Sequence, residues 1–195
     1  LDIDLMSFTS HKIYGPKGVG ALYVRRSSAS GGGKPPVKID PQIVGGGQEA
    51  GFRAGTLNVP GIAGLGKACE LAQAEMWDEG ERLSRLRTYL EQHLLDLGKV
   101  YVNGSTRYRL PHVSNLAFSG LKADELIAKM PDIAVATGSA CTSAIPEPSH
   151  VLRAMGVSDE LAYGSIRFSL GRGCTAEEIG YTVKRLSEVI PVLRK

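Results

Sequence analysis

The chain sets short apolar runs between glycine-rich breaks before it settles into longer helical periods. Ile3, Leu5, Met6 and Phe8 make one brief apolar run and Gly20-Ala21-Leu22-Tyr23-Val24 makes another, so residues 3–8 and 20–24 read as successive strands. Between them Ser10-His11-Lys12-Ile13-Tyr14-Gly15-Pro16-Lys17-Gly18-Val19-Gly20 turns through closely spaced glycines. Lys12 is therefore expected at a strand end, where open sheets commonly place ligands.

Residues 26–58 read as a long Gly- and Pro-rich connection, with 27–36 expected to be mobile and 45–56 ordered. Its glycine triplets lack the Lys-Ser/Thr that completes a Walker-type phosphate loop, which argues against a nucleoside triphosphate site. From Asn58 the pattern predicts a long helix, with Asn58 as N-cap and Pro60 in its first turn. Leu83, Leu86, Leu90, Leu94 and Leu97 recur at three- and four-residue intervals and share one apolar stripe. Cys69 is expected in the core with Leu65 and Met76, and Gly80 is expected to bend the helix where one domain hands over to the next.

Further on, strands are expected at 100–102, 112–118, 133–136 and 166–170, and helices at 123–130 and 147–155. Thr175 with Glu178 three residues later is a capping box that opens a final helix. Cys174, just before that cap, reads either as a thiol acidified by a helix N-terminus or as a structural residue. The alternation predicts an α/β fold.

Composition narrows the setting. A chain of 195 residues with 43% hydrophobic content can bury one good core or two small ones. The formal net charge of +3 is mild and the basic residues are scattered apart from Arg25-Arg26, so no nucleic-acid partner is indicated. Three widely spaced cysteines with no Cys-x-x-Cys pair suggest neither a disulfide framework nor a metal site, and favour a reducing compartment. His93, His112 and His150 have no metal-ligand spacing, and His93 is expected to be exposed. No apolar run approaches the roughly 20 residues of a membrane helix, so no membrane association is expected.

A second segment carries candidate chemistry. Gly138-Ser139-Ala140-Cys141-Thr142-Ser143 is built of small and hydroxyl residues that offer little to pack, which suits a loop presenting a cysteine. Taken singly, a lysine near glycines reads as a solvated loop residue and a cysteine as a small core residue. Their conjunction in one chain, in this order, points to a pyridoxal-phosphate (PLP) enzyme with a cysteine nucleophile.

Ser10-His11-Lys12, Tyr14-Gly15-Pro16-Lys17-Gly18, Gly45-Gly46-Gly47-Gln48-Glu49, Arg53-Ala54-Gly55-Thr56, the run around Cys141, Glu147-Pro148-Ser149 and Ser165-Ile166-Arg167-Phe168-Ser169-Leu170-Gly171-Arg172 follow one another through nearly the whole chain. Together they resemble the cysteine desulfurases of the iron–sulfur-cluster assembly type, class-V aminotransferase-fold PLP enzymes. The resemblance implies the C-terminal part of an aspartate-aminotransferase-like fold. Residues 1–76 would be the remnant of the large PLP-binding domain with the start of the linking helix, and 77–195 the small α/β domain. A chain that opens at Leu1 inside a strand fits a piece whose N-terminal half lies upstream.

The same resemblance implies roles. Lys12 would carry PLP and move the substrate α-proton, Thr9 and His11 would bind its phosphate, and Thr56 would reach the phosphate site of the opposite subunit of a homodimer. Arg167 would clamp the α-carboxylate of L-cysteine, and Cys141, as thiolate, would take its sulfur and release L-alanine. Partners would be a second copy, the N-terminal half, and an iron–sulfur scaffold or other sulfur acceptor, in cytoplasm or mitochondrial matrix. Outside the resemblance, His11 also fits a turn residue, Arg167 a strand-edge ion pair and Thr56 a turn cap. Whole-chain alternatives are a catalytically silent fragment or interaction module, and a selenocysteine lyase or aminotransferase-like relative. Ala54, Ile145-Pro146 and Tyr163-Gly164 depart from the family pattern, and ending at Lys195 omits the tail that would meet a scaffold.

Overall fold

Two separate sets of strands organise the chain. The computed structural model describes residues 3–26, 35–137 and 148–195. Its elements are β1 (Leu5–Thr9), β2 (Gly20–Val24), α1 (Val59–Leu95), β3 (Val100–Val102), β4 (Val113–Phe118), α2 (Ala123–Ala128), α3 (His150–Ala154), α4 (Asp159–Tyr163), β5 (Ser165–Ser169) and α5 (Ala176–Leu193), with 3-10 turns at Ser10–Ile13 and Gln48–Gly51. The chain divides into two compact units, Leu1–Met76 and Trp77–Lys195.

In the first unit β1 and β2 pair antiparallel, from Leu5 opposite Val24 to Thr9 opposite Gly20. A side chain at Gly20 would collide with the Phe8 carbonyl, so glycine is what lets the strands close there. The Ser10 N–H continues the pairing by donating to Val19 O at 3.1 Å, which ties off the segment between the strands as a closed loop. That loop rests on α1: a Cβ on Gly64 would lie 2.8 Å from Pro16 Cγ. The helix starts as predicted, since the Gly61 N–H donates to Asn58 Oδ1 at 3.2 Å and the Ile62 N–H to Asn58 O at 2.9 Å. Leu65 and Ala68 are buried on one face of α1.

In the second unit β3, β4 and β5 form an antiparallel sheet in that order. Leu116, Phe118, Ile166 and Phe168 present one face of it to a core completed by Leu83, Leu90 and Leu94 of α1, Leu126 of α2, and Leu186 and Ile190 of α5. Burying each such side chain stabilises the unit by roughly 1.5–3 kcal/mol. The capping box of α5 is present, with the Glu178 N–H donating to Thr175 Oγ1 at 3.2 Å and the Thr175 N–H to Glu178 Oε2 at 2.9 Å.

Charged residues tie the loops of this unit to its helices. Glu91, buried on α1, accepts from Arg109 Nη1 at 2.7 Å and Nη2 at 2.6 Å, while Arg87 Nε lies 3.8 Å from it. Arg87 also donates to the carbonyls of Leu110 and Pro111. Burial, then the neighbouring Arg109, holds the Arg87 guanidinium below its usual pKa, against the opposing pull of Glu91. Arg82 of α1 donates to Cys174 O at 2.7 Å and Arg172 O at 2.9 Å, closing the turn between β5 and α5. Asp132 accepts from Tyr181 Oη at 2.5 Å and Arg185 Nε at 3.3 Å, fastening α5 to the segment after α2.

Several expectations need correction. Cys69 is exposed, as is Met76, because the buried stripe of α1 runs through Leu65 and Ala68 and Cys69 stands a further 100° round the helix. Helix α1 continues through Gly80 without interruption. Residues 133–136 form no strand; Ala136 alone bridges to Arg167. Helix α4 was not foreseen, since five residues give too short a period to detect. Cys174 Sγ accepts the Gly171 N–H at 3.3 Å and so belongs to the turn. His93 is exposed as expected and lies 2.9 Å from Tyr89 O through Nδ1.

Candidate active site

The loop that closes β1 onto β2 puts three of the predicted residues together. Thr9 ends β1, and His11 and Lys12 follow in the 3-10 turn Ser10–Ile13. The turn is stopped by Tyr14 in the left-handed region, φ 64°, and the Gly15 N–H closes back onto Ser10 O at 3.0 Å. Thr9 Oγ1 lies 2.9 Å from His11 Nδ1, so hydroxyl and imidazole form one polar unit. Lys12 and His11 are exposed, whereas Ser10 between Thr9 and them is fully buried.

Beside this turn lies an open depression of about 500 Å³ lined by Ser7, Phe8, Thr9, Lys12 and Ile13. That volume is within the roughly 300–1,000 Å³ of small-molecule sites. The Lys12 amine makes no ion pair or hydrogen bond among the described residues. An unclaimed amine, a hydroxyl–imidazole pair and the apolar Phe8 and Ile13 make a donor set and a wall that suit a phosphorylated aromatic aldehyde such as PLP.

The other predicted residues belong to other segments of the chain. Thr56 is exposed just past the 3-10 turn Gln48–Gly51, where the Gly55 N–H donates to Gln48 Oε1 at 3.2 Å. No hydrogen bond joins Thr56 to the Lys12 loop among the described residues. Arg167 belongs to the second unit, at the middle of β5, half-buried on the face opposite Ile166 and Phe168. Its guanidinium makes no ion pair or hydrogen bond among the described residues. Cys141 lies outside the described residues.

Sequence reasoning missed what surrounds Arg167. Arg167 is paired across β4–β5 with Asn115, and Asn115 Oδ1 accepts from Asn103 Nδ2 at 2.6 Å. The available signal was Ser114-Asn115, a polar pair between Val113 and the apolar Leu116-Ala117-Phe118.

Known proteins set these pieces in context. The family described as Aminotransferase class-V matches residues 1–181. The whole chain aligns at 52% identity with the cysteine desulfurase IscS of Serratia proteamaculans (strain 568), covering 46% of that protein. It aligns at 51% with the cysteine desulfurase IscS of Escherichia coli (strain K12 / DH10B), again over 46% of its length. A solved NifS-like protein superposes with a TM-score of 0.82 at 35% identity, over 98% of this chain and 47% of that one. The NifS-like protein from Rickettsia africae ESF-5 does so with a TM-score of 0.80 at 30% identity, over 97% and 48%. The chain thus spans about half the length of the relatives it matches. Class-V aminotransferases and cysteine desulfurases are PLP-dependent. An α/β fold, a lysine turn closing a strand pair, and a family match over residues 1–181 place this chain in the aminotransferase class-V family.

Proposed function

We propose that the protein to which this chain belongs is a cysteine desulfurase, which takes sulfur from L-cysteine, releases L-alanine and holds the sulfur as a persulfide on Cys141. The observation that carries this reading is the lysine turn at the end of β1, with Thr9 and His11 paired at 2.9 Å and Lys12 unclaimed beside an open depression.

PLP, when bound, supplies an electron sink for the bonds at the α-carbon of an amino acid. Lys12 would hold it through Nζ and, as the free amine once substrate has taken its place, would move the α-proton. In the tautomer where Thr9 donates to His11 Nδ1, the imidazole keeps Nε2–H as a donor for a phosphate oxygen. Thr56 serves the phosphate site of a second copy. Arg167 takes the substrate carboxylate, because a guanidinium fork matches a carboxylate in two parallel hydrogen bonds. Cys141 reacts as thiolate: its sulfur bonds to the substrate sulfur, the substrate Cβ–S bond breaks, and the carbon takes up a proton to leave as L-alanine.

The partners that go with this reading are a second copy of the chain, an N-terminal half, and a sulfur acceptor such as an iron–sulfur scaffold. The setting is a reducing compartment, cytoplasm or mitochondrial matrix. Among the described residues no helix is long and apolar enough to cross a membrane.

Borohydride trapping of added PLP followed by peptide mapping tests the site. The expected result is an adduct confined to Lys12; an adduct spread over many lysines of the full-length protein overturns the assignment. In the full-length enzyme Cys141→Ser is expected to abolish sulfide release while PLP uptake persists. Full sulfide production by Cys141→Ser would sink the persulfide mechanism.

A further inference from the structure

Arg167 turns both its backbone polar groups away from β4. Its N–H donates to Ala136 O at 2.6 Å, and its C=O accepts from the Ala136 N–H at 3.2 Å. It therefore meets its register partner Asn115 as a pair with no backbone hydrogen bonds between them. In antiparallel ladders that kind of pair brings the two Cα atoms to about 4.5 Å and the side chains closest together. Strand alternation sets both side chains on the face opposite Leu116, Ile166 and Phe168.

The Asn115 amide is oriented by a relay of hydrogen bonds that begins at a carbonyl. Ser165 Oγ donates its only proton to Leu161 O at 2.6 Å, so it accepts from Asn103 Nδ2 at 2.9 Å. The second Asn103 amide hydrogen goes to Asn115 Oδ1 at 2.6 Å. The oxygen of Asn115 is thereby engaged on the β3 side and its Nδ2 is left as a donor. Among the described residues that nitrogen has no acceptor, and neither has the guanidinium of its register partner Arg167. Among the described residues, two donors without an acceptor thus arise from one cross-strand pair on one half-buried face.

We propose that Asn115 is a second substrate-binding residue, its Nδ2 donating to the same carboxylate that Arg167 clamps. The relay from Leu161 through Ser165 and Asn103 fixes which edge of the amide is presented. Arg167 alone would hold any anion. The added neutral donor anchors a second direction and favours a planar carboxylate held at a set angle. This inference rests on the carboxylate reading of Arg167.

Steady-state kinetics of the full-length holoenzyme test it, because Asn115→Ala and Asn115→Asp separate the two roles the residue has. Asn115→Asp keeps the acceptor for Asn103 but replaces the donor with a carboxylate beside Arg167. A residue that only supports the sheet would tolerate Asp better than Ala. A donor to the substrate predicts the reverse: KM for L-cysteine rises roughly tenfold in Asn115→Ala and further in Asn115→Asp, with kcat within about threefold. Unchanged KM in both variants, or wild-type behaviour of Asn115→Asp, overturns the inference. Arg167→Ala separates the two failures. If it raises KM while the Asn115 variants do not, only the role of Asn115 falls; if it leaves KM unchanged, the carboxylate reading falls with it.

Discussion

The hydroxyl of Ser10 fills the space that a side chain on Gly15 would need. A Cβ built on Gly15 runs into Ser10 Oγ and comes within 3.0 Å of Ala68 Cβ and 3.2 Å of Ser10 O. Ser10 Oγ is itself buried without a hydrogen-bond partner among the described residues. The turn that carries Lys12 is thus packed by a polar atom that gains nothing from its burial.

A defined pattern of stabilities follows from that pair. Gly15→Ala is expected to lower stability by about 1–3 kcal/mol through overpacking. Ser10→Ala is expected to be neutral or stabilising by about 1 kcal/mol, since it removes an unsatisfied buried hydroxyl. In the double variant the cost of Gly15→Ala shrinks without vanishing, because Ala68 and the Ser10 carbonyl stay in place. Urea unfolding of the four proteins checks the cycle, and strictly additive effects would show that the hydroxyl is not the obstacle.

Glu91 is the counter-charge for two guanidinium groups in a largely buried setting. Side-chain exposures of 8% for Glu91, 10% for Arg87 and 17% for Arg109 leave little water to replace it. Glu91→Ala is expected to cost about 3–5 kcal/mol, most of it from stranding the two cations. Replacing Glu91 and Arg109 together by leucine should cost less than Glu91→Ala alone. Denaturation midpoints at neutral pH measure both, and a loss under about 1 kcal/mol for Glu91→Ala would contradict the account.

Asp132 links α5 to the segment after α2 in a pH-dependent way. The hydrogen bond from Tyr181, and then its own backbone and Arg185, hold its pKa below the ordinary carboxylate value. A depressed carboxylate contributes stability that is present above the unfolded-state pKa of about 3.9 and disappears as pH falls through the lower folded value. Tyr181 is shifted the other way, upward, chiefly by its bond to Asp132. Its contribution is present below about pH 10 and lost as pH rises through the folded value. Asp132→Asn is therefore expected to flatten the stability profile at both extremes, as read from unfolding midpoints across pH. An unaltered profile would remove Asp132 from the mechanism.

Local signals in the chain foretold the elements with strong periods or caps. The β1–β2 pair, the Asn58 start of α1, the leucine stripe and the Thr175–Glu178 box each depend on residues close together in sequence, and each is present. The misses share a cause. Residues 133–136 alternate the β-branched Ile133 and Val135 with alanines, yet only Ala136 reaches the sheet, as an isolated bridge to Arg167. Cys69 looked buried by composition and is exposed by one step of helical phase. For the site, Thr9, His11 and Lys12 were legible as one motif. The Asn103–Asn115–Ser165 network was not, since its members are 12 to 62 residues apart and meet only through strand order.

The grip of Arg82 on the turn after β5 reaches beyond this one chain. Its guanidinium spans the carbonyls of Arg172 and Cys174 at once, from a helix position 90 residues before Arg172 in the sequence. A residue inserted or deleted between 171 and 174 would break both bonds at once, although the turn itself is open to solvent. Across the lineage, turn length and the identity of the residue at position 82 should therefore change together: chains that keep arginine there should keep the Gly-Arg-Gly-Cys spacing, and chains that lose it should be free to drift in loop length.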